Sequence, residues 1–182
     1  MTGLGTFYET INVGVAEANM IGIAAGLALS GKILFTFTIA PFVTMRCLEQ
    51  IRVDLCYQHL PVKIIGAGGG FVYGPQGTTH HAIEELGILR TLPGMTVLCP
   101  ADPVETEKAV METMGLSGPA YIRIGRNNEP VVTDKRSSFR IGKADTLRIR
   151  GRCINSYVRS FCVQLPCSGR YIGPRGYSCR RS

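Results

Sequence analysis

Apolar positions follow two rhythms that alternate along this chain. Residues 16–30 are almost all Ala, Gly, Ile, Leu and Met, which predicts a helix buried on most faces. Gly31 stands where a helix ends. Lys32 to Ile39, K-I-L-F-T-F-T-I, is β-branched and aromatic and predicts a strand. Pro41 stops that strand and opens a helix over about 42–58, in which Val43, Cys47, Ile51 and Leu55 recur every fourth residue. Residues 60–66 form a short apolar run suited to a buried parallel strand. It leads into Gly66, Ala67, Gly68, Gly69 and Gly70, a stretch that permits close backbone approach. Residues 71–79 read as a loop and 80–89 as a short helix. Residues 95–99 then predict a buried strand. Asp102 caps a helix over 104–114, with Pro103 at its first position and Glu105 at its third. Residues 119–124 predict a last strand, followed by a polar run over 125–129.

Strands alternating with helices imply βαβ units. The expected fold is therefore α/β, a mostly parallel sheet with helices on both faces. Ligands of such sheets sit beyond the carboxyl ends of the strands. Phe42, the glycine loop with His80, and Arg126 all follow strand ends, so they can line one edge. The run G-A-G-G-G is not G-x-G-x-x-G opening a helix, so a Rossmann site is a poor match.

Charge changes the picture only at one end. The net charge is +7, yet residues 148–182 hold eight arginines and no acid. Without them the body has 12 basic and 13 acidic residues, and offers no basic face for nucleic acid. Cysteines divide the same way. Cys47, Cys56 and Cys99 lie in apolar segments and read as small hydrophobes, while Cys153, Cys162, Cys167 and Cys179 lie in the tail without C-x-x-C spacing. Neither a disulfide framework nor a zinc site is expected. No stretch resembles a membrane span or a signal peptide, so a cytoplasmic protein is the default expectation.

Glu17 is the residue with the most unusual setting. It heads the first apolar helix, and no other acid follows until Glu49. A buried carboxylate is costly unless partnered. A helix-start acid on the dipole is the plain alternative. The surrounding stretch, G-V-A-E-A-N-M, resembles the G-x-A-E-x-N-M signature of the pyrimidine-binding domain of transketolase-like, thiamine-diphosphate-dependent enzymes. The resemblance runs in order from about Ile11 to Asp145, and is strongest to the C-terminal subunit of split transketolases. It implies a thiamine-diphosphate-binding fold of pyrimidine-domain type over residues 11–147.

The resemblance also implies roles. The family acid matching Glu17 hydrogen-bonds N1′ of the cofactor aminopyrimidine and so activates thiazolium C2. The segment P-F-V-T-M-R-C-L-E-Q-I-R is similar to F-x-x-x-R-x-x-[DE]-Q-I-R, which makes Phe42 the ring stacked on the pyrimidine and places Arg46 beside the cofactor. For Phe42 alone, ordinary core is the alternative. For Arg46 it is an ion pair with a nearby acid. G-P-Q-G-T-T-H-H-A-I-E-E is similar to G-x-x-G-x-T-H-x-x-x-E, which puts His80 by the thiazolium and the substrate hydroxyls. A capping or core histidine is the alternative. His81 has no family role and reads as structural, and His59 reads as surface. Arg126, in I-R-I-G-R-N-N, matches the family arginine that grips substrate phosphate, with a plain surface arginine as the alternative.

Two departures from animal and yeast transketolases, Gln76 for Asp and Gly68 for His, weaken inference about the sugar but agree with the split-subunit group. The G-D-G motif that goes with magnesium and diphosphate is absent. The resemblance thus implies half a site, completed by an N-terminal subunit that holds magnesium, in a dimer or heterotetramer acting on phosphorylated sugars. Alternatives are a non-catalytic fragment and a deoxyxylulose-phosphate synthase-like subunit. The T-H-H loop argues against a ketoacid dehydrogenase β-like subunit. The resemblance stops at Arg148, where Lys, Asp and Glu vanish together. Residues 148–182 are therefore expected to lie outside the fold, as a product of a change of reading frame.

Overall fold

A computed structural model describes residues 9–127 and 129–143 in full. It also gives the backbone of four strand segments at 144–150, 153–158, 171–172 and 178–179. Helix α1 spans Glu17–Leu29 and strand β1 Leu34–Ile39. Helices α2 (Ala40–Thr44) and α3 (Leu48–Gln50) follow, and α3 runs directly into a π-helical turn over Ile51–Tyr57. Next come β2 (Val62–Ala67), α4 (Glu85–Leu89), β3 (Thr96–Leu98), α5 (Pro103–Thr113) and β4 (Ala120–Ile124). The four strands form one wholly parallel sheet in the order β1-β2-β4-β3.

Register sorts the side chains into two layers. Thr36, Ile64, Tyr121 and Val97 align across the sheet and share one face. That face meets Ile21, Ala24, Ala25 and Ala28 of α1, and Val43, Cys47, Ile51 and Leu55, in one buried cluster. Phe37, Ile65, Ile122 and Leu98 align on the other face. There Leu98 and Ile122 pack with Ala109 of α5. Helices therefore lie on both faces, as expected. Helix α5 meets the β3–β4 half of its face, and Phe35 and Phe37 of β1 remain 39% and 64% exposed.

Three expected helices differ. Helix α1 is buried along one stripe only, Glu17, Ile21, Ala24, Ala25 and Ala28. Its uniform apolarity overstated its burial, since Gly22, Gly26 and Leu29 face solvent. The helix expected over 42–58 breaks after Thr44 and widens beyond Gln50. The Thr44 hydroxyl donates to Ala40 O at 2.7 Å and the Cys47 thiol to Phe42 O at 3.6 Å. Such back-bonding competes with the regular ladder. Every member of the expected stripe, Val43, Cys47, Ile51 and Leu55, is nevertheless fully buried. The helix expected over 80–89 is α-helical only at Glu85–Leu89, and His80 instead ends a 3-10 turn over Thr78–His80. Ala82 spends both backbone groups on an antiparallel bridge to Gly70, so helix cannot form around it.

Backbone pairing joins Ala144–Arg150 to Cys153–Val158 as an antiparallel hairpin, and a two-residue pair joins Tyr171–Ile172 to Ser178–Cys179. The hairpin's first strand crosses the boundary expected near 148. The second strand of that hairpin and the two-residue pair lie within the expected tail, whose remaining residues are outside the described ones.

Candidate active site

The carboxyl ends of β1, β2 and β4 carry every residue singled out above except Glu17, which reaches them from the head of α1. No side chain caps α1, and its first turn holds one acid, Glu17. The carboxylate is buried and partnered: Arg46 Nη1 lies 3.2 Å from Oε2, and the Thr38 hydroxyl donates to Oε1 at 3.4 Å. Thr38 comes from β1, and Arg46 from the irregular turn between α2 and α3. The ion pair given above as the alternative for Arg46 is present, and its acid is Glu17.

Contacts then continue outward. The Arg46 guanidinium sits 5.5 Å from the Phe42 ring centre. Phe42 meets the His80 ring edge-to-face, 5.0 Å between centres at 68°. His80 meets Tyr73 at 6.0 Å and 67°. Arg126 lies 5.1 Å from the Tyr73 ring centre. Glu17, Arg46, Phe42, His80 and Arg126 therefore form one continuous series with Tyr73 as its missing link. Phe42 and His80 are half-buried and Arg126 is exposed, so the series runs from buried acid to exposed cation.

Tyr73 was not anticipated. Its signal was indirect: a Cβ on Gly68 would lie 2.0 Å from the Tyr73 ring, at a backbone φ of +79°. Glycine is required there for two reasons at once. Thr38 was also missed, because nothing in a strand threonine announces a carboxylate partner. His81, read above as structural, packs edge-to-face on Phe71 at 5.0 Å. His59 is exposed.

Cys47 adjoins the site as a buried thiol. Burial, then the Glu17 charge, push its thiol up to about 11, against a smaller opposing pull from Arg46. Beyond Tyr73 opens a cleft of about 570 Å³, lined by Gly69, Cys99, Asp102, Arg123, Arg126 and Glu129 among others. It excludes Glu17, Phe42 and His80 and adjoins them through Arg126. Among the described residues no three His, Cys, Asp or Glu side chains are grouped to hold a metal ion. No described helix is long and apolar enough to cross a membrane.

Comparison with known proteins gives the family and the fold. Residues 2–131 match the family model described as transketolase, pyrimidine binding domain. The chain is 43% identical over 140 residues to an apulose-4-phosphate transketolase subunit of Phocaeicola vulgatus, covering 76% of this chain and 45% of that protein. It is 40% identical over 143 residues to the 6-deoxy-6-sulfo-D-fructose transketolase subunit SqwH of a Clostridium species, covering 79% and 44%. Among solved structures it resembles a split gene transketolase, an inactive beta4 tetramer, with a TM-score of 0.69 and 39% identity over 78% of this chain and 45% of that one. The Campylobacter jejuni transketolase follows with a TM-score of 0.66 and 25% identity, over 78% and 22%. The chain thus spans just under half the length of these curated relatives.

Proposed function

Because the chain belongs to the transketolase family, as a pyrimidine-binding domain, we propose that it is a half-site subunit of a thiamine-diphosphate-dependent enzyme. That enzyme would transfer a two-carbon ketol unit between phosphorylated sugars in the cytoplasm. One observation carries the proposal: a buried carboxylate, Glu17, stands at one end of a series that leads through an aromatic ring and an imidazole to an exposed arginine.

These residues fit the aminopyrimidine end of the cofactor. A flat heterocycle needs an aromatic face and a carboxyl oxygen in reach of a ring nitrogen, and Phe42 and Glu17 offer both. When bound, thiamine diphosphate supplies a thiazolium carbon acidic enough to become a nucleophile. Glu17 would hold the proton that the ring nitrogen N1′ shares, in a pocket dry enough to strengthen that bond. Phe42 would fix the ring plane. Arg46, paired to Glu17 from a half-exposed position, would border the cofactor. His80 would exchange or hold a proton at a substrate hydroxyl. Arg126 would grip a sugar phosphate at the mouth with its planar fork.

The diphosphate and its magnesium fall to a second polypeptide, an N-terminal transketolase-like subunit, in a dimer or heterotetramer. The absence of G-D-G from this chain supports that division. So does the relative solved as an inactive beta4 tetramer, which favours an isolated chain without turnover. A second reading has its own support. The chain is 35% identical over 153 residues to a 1-deoxy-D-xylulose-5-phosphate synthase of Syntrophus aciditrophicus, so a synthase-like subunit is the competing activity. Copurification with an N-terminal subunit, then a ketol-transfer assay with added thiamine diphosphate and magnesium, tests the proposal. Stable assembly without transfer to any phosphorylated aldose sinks it.

A further inference from the structure

Arg123 and Glu85 stand outside the series that runs from Glu17 to Arg126. Arg123 lies on β4 and Glu85 in the first turn of α4. Glu85 is fully buried, and its Oε1 lies 3.0 Å from Arg123 Nε. The pair is held by charge more than by aligned hydrogen bonds. Burial pushes the Glu85 carboxyl up, against the opposing pull of Arg123.

Their placement matters more than their charge. Residues 71–81 carry Tyr73 and His80, and this segment is closed at its base by the bridge between Gly70 and Ala82. Gly70 N–H donates to Ala82 O at 2.6 Å, and Ala82 N–H donates to Gly70 O at 3.0 Å. Arg123 Nη2 donates to the same Ala82 carbonyl at 2.6 Å. Its guanidinium also lies against Gly69, where a Cβ would sit 1.7 Å from Nε. One side chain thus ties β4, the glycine loop and the start of α4 together, two residues from His80. A buried ion pair is weak evidence for stability, because apolar packing commonly does as well. An arginine whose hydrogen bond, ion pair and closest backbone packing fall at one loop base is better explained by the loop it holds.

We propose that Arg123 and Glu85 are positioning residues that fix His80 against Phe42, acting through Ala82. The consequence for catalysis rests on the transketolase reading above, while the consequence for geometry does not.

The experiment therefore has two arms. In the isolated chain, the NMR cross-peak between the His80 and Phe42 rings should weaken at least severalfold in Glu85→Gln and in Arg123→Lys. It should stay unchanged in Glu84→Gln, an exposed neighbour. Arg123→Lys keeps the charge beside Glu85 but cannot fork to Ala82 O, so it carries the test if Glu85→Gln does not fold. An undiminished cross-peak in a folded variant overturns the proposal. In the reconstituted complex, Arg123→Lys should lower kcat about tenfold with cofactor affinity unchanged, as expected for a misplaced group. Wild-type kcat overturns the positioning role. A wild-type complex without ketol transfer counts against the function instead, and leaves the cross-peak to decide the geometry.

Discussion

Arg46 reaches Glu17 from the outside: its side chain is 58% exposed, while that of Glu17 is 8% exposed, with 3.2 Å between Nη1 and Oε2. The pair is asymmetric in a useful way. The buried acid needs a partner, and the exposed base is free to leave, since exposed ion pairs are worth little. A ligand donor arriving at Glu17 would displace a weak contact and not a strong one.

Glu17→Gln should leave the chain folded, because Gln keeps the shape and removes a buried charge. In a complex reconstituted with an N-terminal subunit, exchange of the cofactor's thiazolium C2 proton should slow by about 10²-fold or more, the low end of what a positioned acid or base contributes. NMR reads the exchange directly, and a wild-type rate refutes the role given to Glu17.

The isolated chain should bind thiamine diphosphate weakly, and magnesium should not improve binding. The motive is the absent G-D-G motif. Titration calorimetry settles it, and tight magnesium-dependent binding is the contrary result.

Asp102 should give the fold an acid-sensitive joint. Burial alone would raise its carboxyl. The Thr133 hydroxyl and the N–H groups of Glu105, Thr133 and Val132 outweigh that and hold it at about 2. Its folded value lies below the unfolded one, so its stabilisation is present above about pH 4 and is lost as pH falls through about 2. Asp102→Asn can still cap Glu105 but cannot satisfy the donors of Val132 and Thr133 with a charged oxygen. It should cost roughly 1–3 kcal/mol at neutral pH. Denaturant unfolding from pH 2 to 7 should show a flatter acid limb for Asp102→Asn than for wild type.

Lys63 should act at the alkaline end. It is fully buried on β2 and donates to Leu116 O at 2.9 Å and Gly118 O at 2.7 Å. Burial lowers its pKa to about 8. Between pH 8 and about 10.5 the unfolded chain keeps a proton that the folded chain has shed, so this group makes stability rise with pH. Cys56 and Cys47, raised to about 11 by burial, pull the other way. The readout is therefore the difference between wild type and Lys63→Met. It should grow in favour of wild type from pH 8 to 10, and a flat difference would refute the assignment.

The residues after Arg148 should prove to be a reading-frame product, as their loss of Lys, Asp and Glu suggests. Translating the coding nucleotides beyond codon 148 in the other two frames is the check. If neither frame gives an acidic, then apolar, transketolase-like continuation, the tail is authentic and requires its own explanation.

Strands were legible because their signal is local: Phe35 to Ile39, Val62 to Ile65 and Tyr121 to Ile124 are rich in β-branched or aromatic residues and are followed within two residues by Gly or Pro. Asp102 and Pro103 announced α5 for the same reason, and the cap is present. Helices near the site were misjudged where tertiary partners took over their backbone. Ala82 is committed to Gly70 from across a loop, which no propensity records. Glu17, Phe42, Arg46, His80 and Arg126 were singled out through spaced motifs, and the structure brings them together through Tyr73. Tyr73 and Arg123 escaped because their importance lies in what they press against, the backbones of Gly68 and Gly69. The glycines themselves were conspicuous, but a missing Cβ says only that something comes close.

Within the four-stranded sheet β1 is one of the two outer strands, with Phe35 and Phe37 turned to solvent on the half that α5 does not meet. An outer strand that pairs on one side only among the described residues, and carries bare aromatic rings, is a template onto which another polypeptide can grow. For this chain purified by itself, association through that strand should rise with protein concentration. Dilution and cold storage become part of its chemistry, and turbidity climbing with protein concentration would be the first sign.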